Sequence, residues 1–127
     1  MATIAQQGEN VTLTIQGNEN VNIDELNFAV TLYLPNGGSE DIHTFYKKEN
    51  DIGIFSKPKD NGTDIPYVWT GVIPARTQGT IKGTSDMKVG TYNMELLIGM
   101  SDGTNRSIFV NKNFLTIEYA VSKDISL

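Results

Sequence analysis

Apolar and polar residues alternate along most of this chain. Val11, Leu13 and Ile15 are interleaved with Thr12 and Thr14. Leu26, Phe28, Val30, Leu32 and Leu34 set five apolar side chains on one face, with Asn27, Ala29, Thr31 and Tyr33 opposite. Period two is the strand signature, because successive side chains of an extended backbone point to opposite faces. Further strands are predicted at Ile42–Lys47, around Ile52–Phe55, at Tyr67–Ile73, weakly at Thr80–Lys82, at Tyr92–Met100, at Ser107–Val110 and at Phe114–Tyr119. The last of these is a separate strand or a continuation past a bulge. Within Tyr92–Met100 the alternation places Leu96 in the core and Asn93 on the solvent side.

Turn chemistry separates these runs. Pro35-Asn36-Gly37-Gly38-Ser39 ends the long strand, since proline cannot donate to a ladder and glycine supplies positive φ. Lys57-Pro58-Lys59-Asp60-Asn61-Gly62-Thr63-Asp64 reads as a long polar loop, and Ser101-Asp102-Gly103-Thr104 as a hairpin turn. Ser85–Val89 is expected to form one helical turn capped by Ser85. Eight or nine short strands with regular turns and essentially no helix predict a sandwich or barrel. Alternation within the clearest strands favours antiparallel sheets with one wet face.

The run Asp86-Met87-Lys88-Val89-Gly90-Thr91-Tyr92, leading into Met94, Leu96, Ile98 and Met100, sharpens this. It resembles the corner at which immunoglobulin-like sandwiches enter their penultimate strand. The resemblance implies an all-β, immunoglobulin-like antiparallel β-sandwich of about eight or nine strands. A single domain is expected over residues 1–127, with short N- and C-terminal tails. It also implies a structural corner of Asp86, Gly90 and Tyr92: the Tyr92 hydroxyl bonds to backbone a few residues upstream, Gly90 permits a tight approach and Val89 plugs the core. The expected core is Phe28, Val30, Leu32, Trp69, Met94, Leu96 and Ile98. Trp69 lies on a later strand than the antibody tryptophan, and the antibody cysteines are missing, so the likeness is to the broad class.

Composition adds setting. The chain has 127 residues, 39% of them hydrophobic, enough for one packed core and too few for two. With no cysteine, stability rests on burial. The start, Met1-Ala2-Thr3-Ile4-Ala5-Gln6-Gln7, has neither the basic nor the apolar region of a signal peptide, so folding in a cytoplasm is expected. No apolar run approaches the roughly 18 residues of a membrane span. Net charge is −5, and residues 1–46 hold six acids with no Lys or Arg. Clustered Lys and Arg are what nucleic-acid binding requires, so neither nucleic acid nor membrane is expected as a partner.

Candidate chemistry is sparse. His43 is the sole histidine, beside Glu40 and Asp41, and no nucleophile motif surrounds it. Asp60-Asn61-Gly62-Thr63-Asp64 offers oxygen ligands around a glycine turn but lacks the spaced acids and closing Glu of a calcium loop. The expectation is no catalytic residue, no cofactor, no metal and no enzymatic activity.

The ends, residues 1–8 and 120–127, are polar with isolated apolar groups: Ile4, then Val121, Ile125 and Leu127. Such tails can add a strand to a neighbour's open edge. The Asn-, Thr- and Gly-rich strands resemble those of tailed-bacteriophage virion proteins. The pattern as a whole is similar to immunoglobulin-like capsid decoration (auxiliary) proteins, with those of crAss-like phages closest in character. It also resembles the small sandwich of phage baseplate proteins, where a Gly-x-Tyr strand precedes a Ser-Asp-Gly hairpin. These likenesses imply a non-enzymatic virion protein, assembled in the host cytoplasm, that binds the outer capsid in many copies. Its partners would be the major capsid protein or other virion proteins and copies of itself. The alternatives are a tail, baseplate or head-fibre adaptor, and a carbohydrate-binding module using Trp69, Tyr67 or Tyr46.

Overall fold

The computed structural model describes residues 3–120 and is an all-β sandwich. Ten strands follow in chain order: β1 Thr3–Gln6, β2 Val11–Gln16, β3 Phe28–Tyr33, β4 Ile42–Lys47, β5 Phe55–Ser56, β6 Lys59–Asp60, β7 Thr63–Asp64, β8 Val68–Ile73, β9 Gly90–Gly99 and β10 Asn105–Glu118. A five-stranded sheet runs β1-β10-β9-β3-β4 and a three-stranded one β2-β8-β5, while β6 and β7 form a small separate hairpin. Every pairing is antiparallel except β1 with β10, which is parallel.

The inner faces follow the alternation. Val11, Leu13 and Ile15 of β2 are buried, as are Phe28, Val30 and Leu32 of β3 and Met94, Leu96 and Ile98 of β9. Register carries these positions across the sheet: Val30 lies opposite Leu96 and Phe45, and Leu32 opposite Met94 and His43. Phe28 reaches across to the second sheet, edge-on to Phe55 (4.9 Å between centroids) and to Trp69 (6.1 Å). Such pairs add about 0.5–1.5 kcal/mol beyond their burial. Gly71 of β8 is what lets Phe55 lie so close, since a Cβ there would fall 2.8 Å from its ring.

Several predicted elements differ. The first eight residues do not form a free tail over their described part: β1 pairs Thr3–Gln6 with Leu115–Glu118. The Gln7 side chain donates to the Met87 carbonyl (2.9 Å), the Gly8 amide donates to Thr84 Oγ1 (3.0 Å), and Thr84 Oγ1 donates to the Glu9 carbonyl (2.6 Å). Backbone and small polar groups make these ties, so hydrophobic patterning gave no sign of them. The turn expected at Ser85–Val89 is a short 3-10 turn over Thr84–Asp86, whose cap position is Gly83 with no side-chain cap. Thr80–Lys82 forms no strand, only a bridge between Gln78 and Ile81. The polar loop after Lys57 contains the β6–β7 hairpin. Leu26 and Leu34 lie outside β3 and are only partly buried.

Ser107–Val110 and Phe114–Glu118 are parts of one strand, β10, interrupted twice, and Tyr119 lies just beyond its end. Its register against β9 shifts between Ser107 and Phe109 and again between Asn111 and Leu115. At the second shift Asn113 takes φ +56, and its amide donates to Asn93 Oδ1 (3.0 Å). Asn93 is therefore buried and occupied, not the solvent-side residue that strict alternation predicts. Between Asn111 and Leu115 strand β10 advances four residues while β9 advances two, Met94 to Tyr92, and the Asn93 side chain satisfies backbone freed by the two extra residues.

Candidate interaction surfaces

The corner before β9 is built as a set of local ties. Tyr92 is fully buried, and its hydroxyl donates to the Lys88 carbonyl (2.6 Å). Burial, reinforced by the negative charge of Asp41, pushes the phenol up to about 12. Gly90 has φ +147, and a Cβ there would lie 2.9 Å from Leu34 Cδ2. Asp86 is on the surface and accepts from Thr77 Oγ1 (2.5 Å); it does not reach Tyr92. The core plug is Met87, fully buried, whereas Val89 is only partly so. Two residues of chain are enough to swap the plug, because the turn at Thr84–Asp86 rotates Met87 inward.

His43 points into the same end of the core, its ring centroid 6.0 Å from that of Tyr92. Its Nε2 is buried with no hydrogen-bond partner among the described residues. Burial lowers its pKa, the positive Lys82 lowers it further, and Asp41 opposes both. A neutral imidazole in an apolar wall is a packing residue here.

A polar network, not evident from the sequence, closes the other end. Asp24 accepts from Lys57 Nζ (2.7 Å), the Tyr67 amide (2.8 Å) and Trp69 Nε1 (2.9 Å). Burial would raise this carboxyl, but the bond and charge of Lys57 and the Tyr67 and Trp69 donors outweigh it, leaving the pKa below the ordinary value. Lys47 is buried, donating to the carbonyls of Leu26 (2.7 Å), Ile23 (3.2 Å) and Asp24 (3.4 Å), and lies 4.9 Å from the Trp69 ring centroid. These bonds pin the 18–26 segment over the core. The one signal available was that His43, Phe45 and Lys47 occupy a single face of β4.

The Asp60–Asp64 turn is a hairpin in which Lys59 Nζ meets Asp64 Oδ1 at 2.6 Å. Among the described residues no group of three or more His, Cys, Asp or Glu side chains is placed to hold a metal ion. No helix among them is long and apolar enough to cross a membrane.

Two surfaces among the described residues bear on binding. The outer face of β3, β4 and β9 forms a shallow depression of about 510 Å³ around Ala29, Thr31, Thr44, Tyr46 and Leu97. Tyr46 is 53% exposed there, with the Lys48 ammonium 4.9 Å from its ring centroid. Trp69, by contrast, is 8% exposed and bonded to Asp24, so it is not available for stacking on a sugar.

The second surface is an open slot along one side of the sandwich. β1 covers the free edge of β10 only from Leu115 to Glu118. Among the described residues no strand pairs with that edge over Asn105–Asn111, nor with the outer edge of β2. Between the two edges lies a cavity of about 360 Å³, lined by Ile15, Met94, Leu96, Ile108 and Phe109 with Thr14 and Gln16 at the rim. Phe109 is 48% and Val110 46% exposed. Three successive apolar residues, Ile108-Phe109-Val110, were the legible sign, since a strand cannot bury all three on one face. The other predicted docking residues, Val121, Ile125 and Leu127, lie outside the described residues.

Comparison of the chain with protein-family models found no matching family, and comparison with curated proteins found no matching relative.

Proposed function

We propose that this chain is a non-enzymatic structural protein of a phage virion, binding the outer capsid surface in many copies as a decoration protein. The observation that carries the reading is the slot between β10 and β2. Backbone that no described strand pairs, beside exposed Phe109 and Val110, is a surface suited to pairing with another chain, and soluble monomers usually blunt such edges. The reading takes the sandwich as immunoglobulin-like, which its strand order, the parallel β1–β10 pair and the Tyr92–Lys88 bond support. The polar networks are spent internally, which favours an assembly role over chemistry. Weak contacts suffice on a capsid, because a lattice of neighbours raises effective concentration. Major capsid protein, other virion proteins and copies of the chain are the partners this implies, and a tail or baseplate adaptor would use the same slot within a fibre.

Co-sedimentation with purified capsids lacking this chain tests the proposal. Binding should saturate at a fixed number of copies per capsid and be lost in Phe109→Asp, which places a charge in the slot. Absence of capsid binding by the folded wild-type chain would refute it.

A further inference from the structure

The slot also indicates what fills it. We infer that it receives residues 121–127 of a second copy of this chain, added as a strand along Asn105–Asn111. The inference rests on the assembly reading above and specifies one of its contacts.

Three observations converge. The first is the shape of the acceptor. β10 offers seven residues of backbone edge that no described strand pairs, and the cavity beside it opens directly on Ile15, Met94 and Leu96 of the core. An added strand would supply main-chain hydrogen bonds to the edge and side chains to the cavity, as strand addition requires. The second is the pattern of the donor. In Val121-Ser122-Lys123-Asp124-Ile125-Ser126-Leu127, an extended backbone sets Val121, Ile125 and Leu127 on one face and Ser122, Asp124 and Ser126 on the other. Lys123 shares the apolar face, and its long stem can lie along the cavity rim with the ammonium in water.

The third is reach. Within one chain, β1 already occupies the edge from Leu115 to Glu118. A segment following Ala120 would have to pass outside β1 and run back to Asn111 before pairing could begin. From Glu118 to Asn111 is seven strand steps, about 23 Å at about 3.3 Å each. Residues 121–127 span about 25 Å at full extension. Spent on that path, residues 121–127 could not themselves pair along Ser107–Asn111 of their own chain. The same segment from a neighbouring copy meets no such obstacle. Arg106 and Lys112, both exposed, flank the open stretch and disfavour indiscriminate pairing of one β10 edge with another.

Complementation between two full-length variants tests the assignment. Phe109→Asp blocks the slot and keeps the tail, while Ile125→Asp spoils the tail and keeps the slot. Sedimentation velocity should give wild-type chains a concentration-dependent mass above the monomer. Each variant alone should be monomeric, and an equimolar mixture of the two should associate through the one intact junction. Amide hydrogen exchange over Ser107–Asn111 should slow about tenfold on association, as expected when free edge amides become hydrogen-bonded. Circular dichroism melts of each variant should show a cooperative transition, which establishes that both are folded before mixing. Self-association that persists in Ile125→Asp, or folded variants that fail to associate when mixed, would overturn the assignment. Wild-type chains that saturate capsids while Ser107–Asn111 exchange as fast as in the free monomer would overturn the tail assignment alone and leave the capsid reading standing.

Discussion

Tyr92 concentrates in one side chain the physics of its corner. The ring is fully buried, and the hydroxyl holds the Lys88 carbonyl at 2.6 Å, just where the chain crosses into β9. Removing the hydroxyl in Tyr92→Phe should cost about 1 kcal/mol, the net worth of one such bond, in urea denaturation at neutral pH. The pH dependence follows from the raised ionisation. The folded phenol titrates near 12 and the unfolded one near 10.0, so its contribution is fully present below pH 10 and is lost as pH rises through 12. Wild-type stability should therefore fall more steeply than that of Tyr92→Phe between pH 10 and 12. Parallel curves for the two proteins would contradict this account of the corner. The tyrosine, the glycine and the buried strand positions were legible in the sequence, because each is dictated by local backbone geometry or by period two. The Met87 plug was not, because whether Met87 or Val89 turns inward is decided by the 3-10 turn preceding them, and that turn is held by Thr84 bonding to residues some 75 positions away.

Strand β10 shows what patterning cannot reach at the scale of an element. Alternation identifies Leu96 as core, and it is, but the same alternation assigns Asn93 to solvent. The irregularity between Asn111 and Leu115 changes that assignment: Asn93 Oδ1 satisfies the amide of Asn113, which sits in the left-handed region. Leu96→Ala should cost about 2–5 kcal/mol through the cavity it leaves. Asn93→Ala should cost about 1–3 kcal/mol by orphaning the Asn113 amide. Urea melts of the two variants check both figures, and an unaffected Asn93→Ala would mean that the irregularity is held by something other than this side chain. β1 eluded the sequence for a related reason. Thr3–Gln6 buries little besides Ala5, and its parallel pairing with Leu115–Glu118 is a backbone interaction with no hydrophobic period to announce it. That short pairing matters more than its length suggests, since it fixes where the covered part of the β10 edge ends and the open part begins.

For the whole molecule, the division of labour is between a sealed end, a sealed corner and an open side. The Asp24–Lys57–Trp69–Lys47 network closes one end of the sandwich and leaves its charged groups bonded to each other or to backbone. The Tyr92 corner and the buried His43 ring beside it close the other. Along β10 and β2 the interior approaches the surface beside backbone that no described strand pairs, and there the apolar Phe109 and Val110 stand exposed. The proposal that follows from this arrangement is a protein that joins other chains, on the outer surface of a phage capsid. Cryo-electron microscopy of the virion carrying this chain tests that claim most directly. The account predicts many copies of the sandwich on the outer capsid surface, each with its Asn105–Asn111 edge paired to a strand from a neighbouring subunit. A virion with no density for the chain on its capsid, or with every such edge facing solvent, would contradict it.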